Sequence, residues 1–187
     1  MYYRLNRLLY EEPQFVPIRL EDVTATDVLW GQGMLYTGTV PRPLRASLSA
    51  DCGNVMPDLD LGKPPIISQR LADALAKAGV DNLQLFEIEI SDPRNRAVYR
   101  DHLAMNVIGA VSCADLEASE YRSRDIPRVN FTKLVIDEQR AAGLHLFRLA
   151  ESLKYILISQ QVRDALVSMP LVGVRISSLD EPDAYVG

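Results

Sequence analysis

The chain has 187 residues, of which 48% are hydrophobic and 24% charged, and its formal net charge is −5. This composition is typical of a globular protein and excludes wholesale disorder, while the acidic balance disfavours a nucleic-acid-binding protein. Two isolated cysteines, Cys52 and Cys113, favour a reducing compartment over a disulfide framework.

The hydropathy pattern predicts a soluble cytoplasmic protein. The first nine residues contain no apolar signal-peptide core and no small-residue cleavage site. No apolar run approaches the ~20 residues that a membrane-spanning helix needs. We expect one domain over residues 1–187, with a candidate division into half-repeats at about 27–105 and 106–180.

The first third of the chain is predicted to contain strands and a long irregular segment. Residues 1–9 favour an opening strand, and residues 15–18 an edge strand beside prolines. Residues 28–30 and 34–36 read as two strands around a glycine turn. Residues 37–65 contain five prolines, so we expect a partly extended excursion over the core.

One nine-residue stretch occurs twice, at residues 67–75 and 158–166, with six identical positions. In each copy a serine, Ser68 or Ser159, precedes an apolar helical face. A serine hydroxyl at that position accepts a hydrogen bond from an unpaired backbone N–H, which predicts two serine-capped helices, to Ala78 and Met169. Internal duplication and two similar solutions to one capping and packing problem both explain the repeat.

The remaining apolar runs predict further strands. Residues 83–90 favour a strand with a bulge near residues 85–86, because Leu83 and Leu85 are out of phase with the apolar positions that follow. Residues 106–113 are typical of one central strand buried on both faces.

Near the C-terminus, residues 131–137 and 144–149 read as a hairpin closed around residues 141–143, and residues 172–176 as the last strand. Strands outnumber helices by roughly three to one, which predicts an α+β fold with a mostly antiparallel or mixed sheet.

Motifs for cofactors and metals are incomplete. Gly31 and Gly33 resemble part of a phosphate-binding loop, but Tyr36 stands where a dinucleotide fingerprint needs glycine. Asp58 and Asp60 resemble part of a calcium loop that lacks its third acidic ligand and its terminal glutamate. We therefore expect no cofactor and no metal.

A catalytic reading rests on Cys113 and the acidic residues that follow it. A thiol paired with His102 or His145 in space would form a nucleophile, with Asp115 to Glu120 nearby. Cys113 ends an apolar run, however, and buried thiols are usually inert. An enzyme with a dispersed site and a regulatory protein-interaction module remain the alternatives.

Five apolar blocks in fixed order carry a family resemblance. They lie at residues 67–71, 106–121, 144–149, 156–159 and 173–176. Together they resemble a family of predicted immunity proteins from bacterial polymorphic toxin systems. The resemblance implies a non-enzymatic protein without catalytic residues, which binds a cognate toxin encoded nearby and neutralises it by stoichiometric occlusion. Self-association stays open, and we expect no nucleic-acid or membrane partner.

Two kinds of residue are candidates for such binding. Acidic side chains on one strand face, and after a helix cap that we expect at Asp115, suit a basic partner. Aromatic side chains in or beside predicted loops suit interface anchors. The partner-binding candidates are Trp30, Tyr36, Glu87, Glu89, Asp115, Glu117, Ser119, Glu120 and Tyr121.

Overall fold

The computed structural model describes residues 1–8, 14–21, 30–51 and 53–181. This part of the chain contains two helices, α1 (Gln69–Lys77) and α2 (Gln160–Val167). Its strands are β1 (Tyr2–Arg7), β2 (Ile18–Leu20), β3 (Leu44–Leu48), β4 (Leu59–Asp60), β5 (Ile66–Ser68), β6 (Leu83–Ser91), β7 (Val98–Tyr99), β8 (His102–Val107), β9 (Ala110–Val111), β10 (Glu120–Ser123), β11 (Asn130–Lys133), β12 (Leu146–Leu149), β13 (Ser152–Ser159) and β14 (Val174–Ser177). The fold is α+β, as predicted.

The strands form three sheets. One has the order β14-β1-β13-β12-β9, and the larger has the order β2-β3-β6-β8-β5-β4, with β7 paired to β6. Each of these sheets contains one parallel pair, β12 with β9 and β3 with β6, among antiparallel neighbours. The third is the two-stranded hairpin β10-β11.

Both helices begin directly after a strand, at the serines of the repeated stretch. Ser68 Oγ accepts a hydrogen bond from the Leu71 N–H at 3.2 Å, and Ser159 Oγ accepts from the Val162 N–H at 3.4 Å. These bonds satisfy N–H groups that the first turn of a helix leaves without a partner.

The helices contact each other and contribute to a core shared by the two large sheets. The buried face of α1 includes Leu71, and that of α2 includes Val162. Their apolar cluster also contains Leu5, Met105 and Ile156, from strands of both large sheets. Burial of this face, rather than helix propensity, accounts for two helices this short.

The apolar run at residues 106–113 forms two strands instead of the single central strand that we predicted. Gly109 separates β8 from β9 with a φ of +104°, a conformation that favours glycine. The chain passes there from the larger sheet to the five-stranded one. Asn82 joins the two sheets at this crossing, since its Nδ2 donates to the carbonyls of Ile108 (2.6 Å) and Leu146 (2.9 Å).

The predicted excursion at residues 37–65 contains an interior strand. β3 lies between β2 and β6, and its side chains alternate between buried and more exposed positions. The prolines flank this strand without interrupting it, so its ladder of hydrogen bonds is intact. Residues 28–29 of the first predicted glycine-turn strand lie outside the described residues, and residues 34–36 of the second form no strand.

Two pairing predictions were wrong. β11 pairs with β10 and β12 pairs with β13, so the predicted hairpin around residues 141–143 does not form. The predicted bulge in β6 is also absent, because pairing with β8 is continuous from Leu83 to Glu87. Leu83 packs against the shared core, whereas Leu85 faces solvent beside Glu87.

Candidate partner-binding surface

Residues 31–36 form a loop, here called the pinned loop, that is fixed by side chains of the larger sheet. Gln84 accepts from the Tyr36 N–H at 2.9 Å and donates to the Tyr36 carbonyl at 2.7 Å. Asn106, which faces Gln84 across the β6–β8 pair, donates to the Met34 carbonyl at 2.8 Å. Gly33 accepts from the Gly109 N–H at 2.8 Å, so bonds hold the loop backbone along its length.

The pinned loop exposes two adjacent apolar side chains. Met34 and Leu35 are each 58% exposed. The predicted aromatic anchors lie at its ends: half-buried Trp30 packs edge-to-face on Phe86 with ring centroids 5.4 Å apart, and Tyr36 is also half-buried. An apolar pair on a fixed backbone binds with little loss of conformational freedom.

A buried cation lies beneath this loop. Arg148 is almost fully buried and forms no ion pair with a described carboxylate, and its Nη1 donates to the Leu153 carbonyl at 2.8 Å. Burial lowers the pKa of its guanidinium to about 10, so the group stays charged at neutral pH. Gly31 leaves room above the guanidinium. The sequence offers no signal for this residue, which sits within an apolar strand.

The predicted acidic strand face is interrupted by arginines. Glu87 and Glu89 lie on β6, but Glu89 accepts from Arg100 Nε at 2.7 Å. Arg45 of β3 stands beside Glu89 in the parallel register. Both the Glu89 and the Arg100 side chains are accessible to water, so their ion pair contributes little stability. Glu87 is the exposed acid of this face.

Residues 115–120, here called the acidic turn, include side chains with structural roles. A turn, rather than the predicted helix, follows Asp115, whose Oδ1 accepts from the N–H groups of Glu117 and Ala118 at 3.0 Å each. Ser119 is buried and bonds both the N–H and the carbonyl of Val135. Asp115, Glu117 and Glu120 are exposed, but the Asp115 carboxylate is engaged by the turn backbone.

Tyr121 lies on β10 and is half-buried, with its ring edge-to-face on Phe131 at 6.4 Å. Beyond it, residues 122–128 form an exposed segment at the tip of the hairpin, here called the basic tip. The tip contains three arginines and one aspartate. The partner-binding candidates predicted from the sequence do not include the basic tip, although the spacing of its arginines is visible in the sequence.

The thiol of Cys113 is unsuited to nucleophilic chemistry. It is fully buried, and burial raises its pKa to about 12, with Glu151 and Asp137 adding to the shift. A thiol with this pKa is protonated at neutral pH, and the thiolate is the reactive form. His145 Nδ1 lies 3.2 Å from Ser159 Oγ, and His102 lies beside Asp101 and the Pro57 carbonyl.

The two best-formed clefts of the described residues do not gather the groups of the catalytic alternative. Two open clefts of about 360 and 410 Å³ meet at Gly143–His145. Their linings contain neither Cys113 nor the acidic turn. An active site is normally a concave pocket that holds the reacting groups together, so this geometry disfavours a dispersed site at Cys113 and residues 115–120.

The two aspartates with a calcium-like spacing belong to the fold. Asp58 and Asp60 are buried and form ion pairs with Arg70 and Arg7, respectively. Their oxygens also accept backbone bonds, including one to Asp58 from the Val172 N–H at 2.6 Å. Among the described residues, no three His, Cys, Asp or Glu side chains cluster in a way that would hold a metal.

No helix in the described part of the chain is long and apolar enough to cross a membrane. Among the described residues, the exposed features include an apolar loop on a fixed backbone and a basic hairpin tip.

The sequence matches the model of the immunity protein family Imm11 over residues 18–180, which is most of the chain. The protein therefore belongs to this family, as the apolar blocks predicted. None of the curated proteins compared with it matched its sequence.

Proposed function

We propose that this chain is a cytoplasmic immunity protein of a polymorphic toxin system, which binds a cognate bacterial toxin and neutralises it without catalysis. The match to the immunity family over residues 18–180 carries the proposal. The buried, protonated thiol of Cys113 supports it, because the leading catalytic alternative needs a reactive thiolate. Neutralisation acts by occlusion, with one immunity protein covering each toxin.

The pinned loop is the apolar centre of the proposed interface. Met34 and Leu35 are exposed on a backbone that Gln84 and Asn106 hold in place. Interfaces place apolar anchors at the centre and charges at the rim, and a standard interface buries ~1,600 Å² in total. Half-buried Tyr36 flanks the pair.

The acidic candidates divide by role in this proposal. Glu117 and Glu120 are exposed and suit the rim, where charges influence the association rate more than the final affinity. Glu87 is also exposed, but it lies on the face of β6 opposite to Gln84 and the pinned loop, so it is outside this rim. Asp115 and Ser119 hold the acidic turn, so their substitution acts on the fold first.

Co-expression tests the proposal directly. The toxin domain encoded beside this chain is expressed alone and together with it, and growth is measured. We expect growth arrest with the toxin alone, rescue by the immunity protein, and a one-to-one complex in size-exclusion chromatography with light scattering. Persistent arrest in the presence of folded immunity protein would reject the proposal for that toxin.

A matched pair of variants tests the pinned loop. Met34→Ser with Leu35→Ser removes the exposed apolar pair, and we expect binding at least ~100-fold weaker, because central anchors dominate affinity. The control, Val98→Ser with Val167→Ser, changes two other exposed apolar residues, at 44% and 59% exposure. Equal affinity of both double variants would place the apolar centre elsewhere.

A further inference from the structure

We propose that the basic tip, residues 122–128, docks against an acidic protein surface on the toxin. The inference rests on the proposed function and names the chemistry of one part of its partner. It adds a basic contact to the acidic rim proposed at Glu117 and Glu120.

The tip differs in charge from the chain that carries it. Arg122, Arg124 and Arg128 stand against the single Asp125, in a protein of net charge −5. All three arginines are exposed, and none forms an ion pair with a carboxylate of the described residues. Three guanidinium groups against one carboxylate leave the tip with a net positive charge, which attracts an acidic surface.

The base of the hairpin fixes the position of the tip. Phe131 and Val129 are buried beneath the hairpin, in a cluster that also contains Tyr155. The Val129 N–H donates to the Glu151 carbonyl at 3.0 Å, and the Leu153 N–H donates to the Pro127 carbonyl at 3.2 Å. The arginines therefore extend from an anchored backbone, which lowers the entropy that binding would cost.

An apolar side chain stands among the arginines. Ile126 is 60% exposed, between Arg124 and Arg128 in the sequence. Planar guanidinium groups bind carboxylates through paired hydrogen bonds, and an isoleucine among them adds apolar contact. Glu and Asp side chains around a small apolar patch match this arrangement.

A protein partner fits these residues better than a nucleic acid does. Nucleic-acid-binding domains are usually basic overall and gain their affinity from many phosphate contacts. Here the three tip arginines form one short basic segment on an acidic chain, and the side chain of the exposed Ile126 among them cannot bind phosphate.

The test compares two triple variants of the full chain. Arg122→Ser, Arg124→Ser and Arg128→Ser neutralise the tip. The control replaces Arg19, Arg42 and Arg45 with serine; these are exposed arginines in and beside β2 and β3 that also form no ion pair with described carboxylates. Both variants change the net charge equally, and circular dichroism and thermal melting report whether each one folds.

Binding is measured by stopped-flow and calorimetry against a catalytically inactivated form of the toxin domain encoded beside the chain. At about 50 mM NaCl we expect the tip variant to associate roughly tenfold or more slowly than wild type, and the control within about twofold. Raising NaCl to about 300 mM should remove most of the difference, because salt screens exposed charges. Ile126→Ser should weaken binding without changing the salt dependence.

Three results overturn the inference, and they are distinguishable. If wild type neutralises and binds the toxin and the folded tip variant binds equally well, the tip is outside the interface while the proposed function stands. If the tip arginines are needed only for binding a single-stranded RNA probe, the partner class is wrong. If wild type itself fails to bind or protect, the proposed function fails first.

Discussion

The two strand–helix units, β5–α1 and β13–α2, make the same local bonds. Besides the serine caps, Gln69 Nε2 donates to Asp73 at 2.8 Å, and Gln160 Nε2 donates to Asp164 at 2.7 Å. The backbone N–H of Gln69 donates to the Asp101 carbonyl, just before β8. The backbone N–H of Gln160 likewise donates to the Met1 carbonyl, just before β1. The identical residues of the repeat therefore specify how each helix begins. Internal duplication stays a prediction.

The two units differ at the fourth position of the repeat, which is Arg70 in the first and Gln161 in the second. Arg70 forms an ion pair with buried Asp58, whereas Gln161 donates through Nε2 to the Ala78 carbonyl at 2.9 Å. The first unit is thus anchored by charge to the segment before it. The second is anchored by a neutral bond to the end of the first helix. The same local design supports different tertiary attachments.

The capping serines reflect this difference. Ser68 Oγ also donates to Asp58, while Ser159 Oγ lies near His145 Nδ1. Asp58 therefore collects Arg70, Ser68 and the Val172 N–H on one carboxylate. No single acceptor has this role in the second unit among the described residues.

Removing the Asp58 carboxylate should have the largest effect on stability. Asp58→Ala should lower the free energy of unfolding by about 3 kcal/mol, because three donors lose a buried acceptor. Urea unfolding measures the change. Asp73→Ala, an exposed carboxylate of α1, is the control and should cost about 0.5 kcal/mol or less. Similar losses in the two variants would contradict a special role for Asp58.

Acid should weaken the first unit through the same residue. Burial raises the pKa of Asp58, but bonds from Arg70, Ser68 and Val172 outweigh it and hold the pKa below the ordinary 3.8. Because the pKa of Asp58 is lower in the folded than in the unfolded protein, its carboxylate stabilises the fold at pH values above the unfolded-state pKa. This stabilisation is lost as the pH falls through the folded-state pKa.

Between about pH 5 and pH 2, wild type should therefore lose more unfolding free energy than Asp58→Asn, which cannot titrate at this position. Urea unfolding across this pH series checks the difference. Parallel pH curves for the two proteins would show that Asp58 contributes no pH dependence.

The two caps should differ in strength. Ser159→Ala should cost about 1 kcal/mol, the usual value for a lost serine cap. Ser68→Ala should cost about 2 kcal/mol, because the bond that it also loses goes to a buried carboxylate, whereas the additional partner of Ser159 is the ring nitrogen of His145. Chemical unfolding of the two alanine variants measures the difference. Equal costs would mean that the bond to Asp58 adds nothing to the cap.

The smallest effect concerns the neutral anchor of the second unit. Gln161→Ala should cost about 1 kcal/mol, since the Ala78 carbonyl at the end of α1 loses a donor. The matched control, Gln69→Ala, removes an exposed bond to Asp73 within α1 and should cost about 0.3 kcal/mol. Thermal melting of both variants under one condition ranks them, and the reverse order would contradict the assigned role of Gln161.

Local features of the fold were predictable because their causes are local. The helices begin at the serines of the repeat, and β3 shows an apolar–polar alternation that the flanking prolines obscured. Strand partners were harder to predict, because pairing depends on packing and register with distant residues. The wrong hairpin at residues 141–143 is an example, since β11 and β12 each pair with another strand.

The candidate surface likewise combines features that are visible in the sequence with features that depend on distant contacts. The arginines of residues 122–128 are visible in the sequence as three basic residues in a short segment with one aspartate. The pinned loop is not, because Gln84 and Asn106 lie 48 and 72 residues from the positions that they bind. The polarity of Asp115 and Ser119 suggests partner binding, yet in the structure Asp115 bonds the backbone of the turn and Ser119 bonds the backbone of Val135.

The α+β class, the family and the way in which the two helices begin can all be inferred from the sequence, since caps, apolar periodicity and block order are encoded in neighbouring residues. Three other features become visible in the folded protein: the passage of the chain between sheets at Gly109, the ion pair of Asp58 with the first repeat, and the set of apolar side chains that stay exposed. These features depend on contacts between residues far apart in the chain, which form when the two sheets pack around the helices.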